Sequence, residues 1–328
     1  MSVFLFPNQH ALLALLGVAL FSFLVLKSTP LQAASCCGGG AGSGIILPKF
    51  KQHMLDLGIN NEQYDGFWTQ AGDHRDDPAN SDLSQKRLNV SYAYRLADQW
   101  QLGLSTPLVY NQNTYSGKNS SVFGLGDSQV SLWYEAFERV TCVYKVTSWK
   151  SLQPSLYFGT ALTLPTGMSQ YSDRIESSFD ITGRGFYRLD SQVLLEKTIY
   201  PWTATVHYIY GQYLKRPVNQ EYGQDIEPYN KQLGDRQQLT LSAGYTWFLA
   251  NFSMLSLTLS HNTVDEGSAI IDGIKDNNSG FESDSLGLSL AYSNASQDWI
   301  FKTGFTQLED GENTPKTRIL SIGASHVF

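Results

Sequence analysis

Apolar side chains in this chain recur at every second position, segment after segment, from about residue 52 onward. Leu88, Val90, Tyr92, Tyr94 and Leu96 interleave with Arg87, Asn89, Ser91, Ala93 and Arg95. Val130, Leu132, Tyr134 and Ala136 interleave with Gln129, Ser131, Trp133 and Glu135. Leu239, Leu241, Ala243, Tyr245 and Trp247 oppose Gln238, Thr240, Ser242, Gly244 and Thr246, and Leu286, Leu288, Leu290 and Tyr292 oppose Gly287, Ser289, Ala291 and Ser293. A period of two sends alternate side chains to opposite faces of a strand. Each strand therefore has an apolar face and a small or polar one. A soluble sandwich turns the apolar rows into a core. A membrane barrel turns them to lipid and keeps the polar rows around a wet lumen.

Composition bears on that choice. Charged residues make up 16% of the chain and aromatic residues 13%. The charged share is below the roughly 25% usual in soluble domains. Mean hydropathy is -0.23, and beyond Leu26 no apolar run is long enough for a spanning helix. Only every second residue of a barrel strand meets lipid, so a barrel shows just this modest average. The net charge of -7, with no Lys/Arg stripe to neutralise phosphates, argues against a nucleic-acid partner.

The pattern predicts twelve strands, at about 52–67, 85–96, 100–113, 127–138, 151–164, 185–198, 202–214, 236–248, 252–265, 283–293, 299–309 and 317–328. Lengths of ~10–14 residues suit a tilted crossing of a bilayer. Connections alternate in length. Short ones lie at Ala97–Gln99, Ile199–Pro201, Leu249–Asn251 and Asn294–Asp298. Long ones lie near 68–84, 114–126, 165–184, 215–235, 266–282 and 310–316. Short turns on one side and long loops on the other are the habit of outer-membrane barrels, and an even strand number puts both termini on the short-turn, periplasmic side. The segment 139–150 is the exception, a dozen residues where a short turn is expected. Trp100, Trp202, Trp247 and Trp299 all fall beside short turns. They form an aromatic belt at one membrane surface, where the ring is apolar and the indole N–H reaches water.

Both ends of the chain agree with export. Ala11 to Leu26 is an apolar run broken only by Gly17 and Ser22, and small residues follow at Ala33-Ala34-Ser35. This reads as a signal peptide over 1–35, a Cys/Gly-rich periplasmic tether over 36–51 and a barrel over 52–328. The last strand alternates to its final residue, Phe328. That resembles the closing-strand signal through which outer-membrane barrels engage the barrel assembly machinery, although His326 stands where a second aromatic is usual.

Three short motifs carry chemistry of their own. Gly124-Leu125-Gly126-Asp127 opens the fourth strand, Leu164-Pro165-Thr166-Gly167 closes the fifth, and Gly183-x-Gly185 precedes the sixth. Gly124 and Gly126 suit a chain bending into a strand, Asp127 can accept from free loop N–H groups, and Pro165 ends a strand before a turn. In order and spacing the three resemble the outer-membrane channels of the phenol meta-degradation pathway family. The resemblance is clearest over about 120–200. It implies passage of small, often aromatic or hydrophobic, molecules across the outer membrane.

The strand faces place Arg87, Arg95, Asp127, Glu135, Arg188, Asp190, Glu196 and Lys302 toward the lumen. Mixed signs inside a barrel either pair across it and hold its shape or set a field that orients a solute. A twelve-stranded barrel has a modest interior that inward loops can plug. The expected path is therefore narrow or gated.

Cys36, Cys37 and Cys142 remain. Three readings stand open: a lipid on Cys36, a soft metal at the Cys-Cys pair, and a disulfide from Cys142 to one of the two. Catalysis is not expected, and neither is a cofactor. His53, His74, His207, His261 and His326 lack metal-ligand spacing. Ser260 and His261 are strand neighbours on opposite faces. Asp73-His74-Arg75-Asp76-Asp77 reads as a solvated acidic loop. The expected function is passive movement of a small hydrophobic or aromatic solute through an outer-membrane channel. The alternative is a non-conducting structural or adhesive barrel whose long loops bind a surface partner.

Overall fold

The computed structural model describes residues 46–136, 142–173, 175 and 177–328. The expected signal peptide, Cys36 and Cys37 lie outside them. Twelve antiparallel strands form the body: β1 His53–Trp68, β2 Asp82–Ala97, β3 Trp100–Tyr115, β4 Ser128–Glu135, β5 Ser155–Leu164, β6 Arg188–Ile199, β7 Trp202–Tyr213, β8 Arg236–Phe248, β9 Met254–Glu266, β10 Phe281–Ser293, β11 Trp299–Glu312 and β12 Thr314–Val327. Each pairs with its neighbours in sequence, and β12 pairs with β1 from Met54↔Val327 to Trp68↔Thr314. The ring is closed. In lipid an unpaired backbone N–H or C=O costs several kcal/mol, and closure removes the edge that would expose a row of them.

The register fixes the faces. Leu57 pairs with Val90, Leu88 with Leu108, Leu241 with Val206 and Ile322 with Ile59, so the apolar rows run around the outside. Apart from the half-buried Leu108 these aliphatic side chains are exposed, Ile322 and Leu320 at 54%. Toward the short-turn end the outward residues turn aromatic. Trp100 lies 4.8 Å from Tyr134, Trp202 4.8 Å from Tyr245 and Trp299 4.5 Å from His326, ring centre to ring centre. Across the seam His53 stacks on Tyr94 at 5.1 Å and on Phe328 at 5.0 Å. Phe67, Tyr110, Phe123 and Tyr187 stand exposed toward the other end. An aliphatic band between two aromatic girdles is the surface of a barrel built for lipid.

The connections depart from expectation in five places. The loop expected at 114–126 is mostly strand, Lys118–Leu125 pairing back on β3 through a turn at Ser116–Gly117. Likewise 215–235 is a hairpin, Arg216–Glu221 with Gln224–Gln232, turning at Tyr222–Gly223, and 266–282 holds Ala269–Ile271 with Ile274–Asp276, turning at Asp272–Gly273. Both central residues of each turn have positive φ, between 46° and 85°, which matches strand twist. The long connection expected at 310–316 is a tight turn at Asn313 between β11 and β12. Within 139–150, Cys142–Val143 pairs in parallel with Thr198–Ile199, and Trp149–Leu152 forms a helical turn that delays β5 to Ser155.

Register makes a direct prediction. Leu288→Arg places a charge on the lipid face near mid-strand and should cost roughly 2–4 kcal/mol. Ser289→Arg, one residue on and facing the lumen, should cost less than about 1 kcal/mol. Reversible unfolding from lipid vesicles reads both values.

Candidate functional site

The lumen has two unlike walls. From β8 to β1 the inward residues near mid-strand are small: Ser242 pairs with Ser260, Ser260 with Gly287, Ser289 with Gly304, Gly304 with Ser321 and Gly323 with Gly58. From β4 to β7 the inward positions are filled. Trp133 is 1% exposed and lies against Gly159, where an added Cβ would come within 2.6 Å of its ring. His207 is buried beside it, ring centres 5.8 Å apart, and bonds Gln192 at 3.0 Å.

At the long-loop end the connection 165–187 folds inward. Asn111 and Asn113, buried on the inward face of β3, donate to Phe179 O at 3.0 and 3.1 Å, and Asn111 also to Ile181 O at 2.9 Å. A few residues on, Arg184 pairs with the buried Glu266 of β9. β3 and β9 are six strands apart on a ring of twelve, so they form opposite walls. The segment is a strap across the mouth.

The three sequence motifs build its anchor. Between the pairs Leu108↔Leu125 and Ser105↔Gln129, three steps along β3 face four along the other strand. This bulge at Gly126–Asp127 switches odd-numbered residues from the outside to the lumen. Asp127 then accepts from Gly167 N at 3.0 Å and from Arg184 N at 2.7 Å. Burial pushes its carboxyl up from its ordinary value, and the N–H groups of Arg184, Gly167 and Gly185 pull it back. Thr166 Oγ1 donates to Gly126 O at 2.6 Å and accepts from Ser128 N at 3.0 Å. The approach is close: a Cβ on Gly183 would stand 2.3 Å from Asp127 Oδ1, and one on Gly167 2.7 Å from the Gly183 Cα. Leu164 ends β5 and Pro165 opens the turn. Gly124 faces the strap, its missing Cβ 2.6 Å from Met168 Cε.

The inward charges are engaged. Arg188 meets Asp190 through Nε at 2.7 Å and Nη2 at 3.0 Å, and Arg87 pairs with Glu62 at 2.9 Å. Lys302 reaches over β12 to Asp56 at 2.8 Å, and Glu135 meets Lys49 at 2.6 Å. Glu196 faces inward opposite Thr205 and Ser155. Burial opposes the charge of Arg184, but Glu266 beside it holds its pKa above the ordinary value. Among the described residues Arg95 does not pair with an acid. It donates to Lys51 O at 2.9 Å, Asp98 O at 3.0 Å and Pro48 O at 3.0 Å.

Arg95 thereby holds the segment before β1, the last residues of the expected 36–51 tether. Leu47, 3% exposed, clusters with Met54, Ala93, Ile300 and Val327, the inward residues of β1, β2, β11 and β12. Its N–H donates to Gln101 Oε1 at 2.8 Å. Residues 47–51 therefore sit in the short-turn mouth. Sequence reasoning missed Glu62, Asp56, Arg184, Glu266, Lys49 and Gln101. Glu62 and Asp56 could have been found as lumen-parity residues of β1. Arg184 and Lys49 lie in segments whose course no periodicity reports.

No protein-family model matches this chain, and no curated protein matches it. Solved structures do. An outer membrane channel from Pseudomonas putida F1 superposes with a TM-score of 0.63 at 14% identity, covering 89% of this chain and 100% of that one. The β-domain of the Bordetella autotransporter BrkA gives 0.50 at 11% identity, over 85% and 100%. The likeness is one of fold, a closed antiparallel barrel of the outer-membrane type.

Removing the anchor should free the strap. Asp127→Ala leaves the Gly167 and Arg184 N–H groups without their acceptor, at about 1 kcal/mol. Asp127→Asn, which keeps one carbonyl oxygen, should fall between. Limited proteolysis should cut the alanine variant within 165–187 well before the parent protein.

Proposed function

We propose that this chain lies in an outer membrane and lets small solutes pass through its lumen without energy input or covalent chemistry. The observation that carries this reading is the small-residue wall from β8 to β1. The atoms nearest to an added Cβ on Gly58, Gly244, Gly287, Gly304 or Gly323 all belong to the same or an adjacent strand. Among the described residues, none of these nearest atoms comes from across the barrel. A packed core would fill these positions with large side chains. Here the backbone is left bare, and a passage is what bare backbone provides. The strap and the segment at 47–51 narrow the passage at its two ends.

The charge pairs favour uncharged solutes. Each inward cation beside a carboxylate cancels its field over a short distance, so the lumen lacks a long single-signed stripe. This supports the small hydrophobic or aromatic solutes that the loop motifs imply. In this proposal the short-turn end and both termini are periplasmic, the long loops face outward, and β12 through Phe328 is the strand the assembly machinery engages. One observation favours the non-conducting alternative. The hairpins at 216–232 and 269–276 join into a four-stranded sheet of their own, a ready platform for a surface partner.

Planar-bilayer recording separates the two readings. The channel reading expects discrete conductance, with cation and anion permeabilities within about threefold of each other. Gly58→Phe fills lumen space where an added Cβ meets nothing closer than 3.9 Å, and should cut conductance while leaving the heat-shifted gel band intact. Arg95→Gln should release 47–51 and raise conductance roughly twofold or more. A folded protein that never conducts would leave the platform reading.

A further inference from the structure

A cavity of about 330 Å3 lies beside the strap, on the far side from the lumen. Its outer wall continues the β6–β7 ladder: Leu214 N donates to Tyr187 O at 2.9 Å. Both side chains keep the outward parity of Leu189 and are about half exposed, at 53% and 49%. Its floor is Tyr171 and Phe186, buried and packed edge to face at 5.5 Å. The Arg216 guanidinium lies 4.9 Å over the Tyr171 ring and 5.7 Å over Phe186, and its Nη1 donates to Gly185 O.

Two features set this cavity apart. Among the described residues its lining holds two cations, Lys215 and Arg216, and no carboxylate, in a chain of net charge -7. Glu221, close behind the floor, accepts from Tyr229 Oη. Among the described residues Arg216 bonds only Gly185 O, so its Nε and Nη2 keep donors for a ligand. The Gly183-x-Gly185 motif shapes the floor as well. Gly185 has φ +78°, and a Cβ there would stand 2.4 Å from Ser169 Oγ and 3.1 Å from Arg216 Nη1.

We propose that this pocket binds a small organic anion, a single planar ring bearing a carboxylate. A cavity of this size encloses one substituted ring. A guanidinium held over two aromatic rings and by one carbonyl presents a planar fork, which matches a carboxylate in two parallel hydrogen bonds. Lys215 adds a second charge at the rim. Tyr187 and Leu214 cover the ring. A phosphate on a lipid offers the same charge but not the flat body that the aromatic floor accepts. The site lies outside the lumen, and its binding does not depend on conduction.

The test is calorimetric titration of the purified, detergent-solubilised protein, shown folded by its heat-shifted gel band, with benzoate and with benzyl alcohol. One saturable benzoate site is expected, about tenfold or more tighter than for benzyl alcohol. R216Q should weaken benzoate by about tenfold, R216K by less, and K215Q by about two- to threefold. Arg216 also holds Gly185 O, so if R216Q loses the heat-shifted band the decision passes to R216K and K215Q. Equal affinity for the two probes would overturn the proposal. So would benzoate affinity unchanged in the folded variants, or saturable binding of lipid A micelles with no benzoate site. Bilayer conductance on the same preparation reports on the channel reading separately.

Discussion

The pairing of β1 with β12 is the contact on which everything else in this molecule depends. Twelve alternating strands left open would present two rows of unpaired backbone groups, and in hydrocarbon neither row finds water. Closing the ring satisfies both and creates an inside. Once there is an inside, the second face of every strand needs neither a core nor lipid. Small residues there leave room, and charged ones find partners across or along the wall. The seam is also reinforced from outside, where His53, Tyr94, Phe328, His326 and Trp299 stack in sequence over the joined strands.

The two mouths are narrowed by different means. At the long-loop end one carboxylate, Asp127, gathers N–H groups from two stretches of a loop that would otherwise have no reason to enter the barrel. Arg184 then ties the strap to the opposite wall. At the short-turn end a guanidinium does the complementary job, with Arg95 gathering three carbonyls of the incoming chain and the adjoining turn. In each case a half-buried charge substitutes for regular secondary structure. Such charge-assisted bonds are stronger than neutral ones, and their loss leaves several backbone groups unsatisfied at once.

Most of the fold is legible in the sequence, and for one reason. A two-residue period that survives over twelve segments admits few arrangements, and lipid leaves only the closed one. Outward rows such as Leu239 to Trp247 and inward ones such as Arg87 to Arg95 follow from parity alone. The loops were harder to read. Ser116-Gly117, Tyr222-Gly223 and Asp272-Gly273 are hairpin turn signals. The strands they join alternate weakly, because above the membrane neither face must be apolar. Asn313 closes a tight turn where polar composition suggested a long loop.

The sequence by itself determined the strand number, the two faces and most of the alternation of turns and loops, because these depend on local period and on a uniform solvent. The tertiary structure decided what enters the lumen. Asp127, Gly167 and Gly183 are distant in sequence and have no pattern in common; they meet because a one-residue bulge turns Asp127 inward just where the 165–187 loop passes. Arg184 and Glu266 belong to opposite walls, and Lys49 and Glu135 to segments without a shared element. Contacts of that kind depend on the path of irregular chain through closed space, and periodicity holds no record of it.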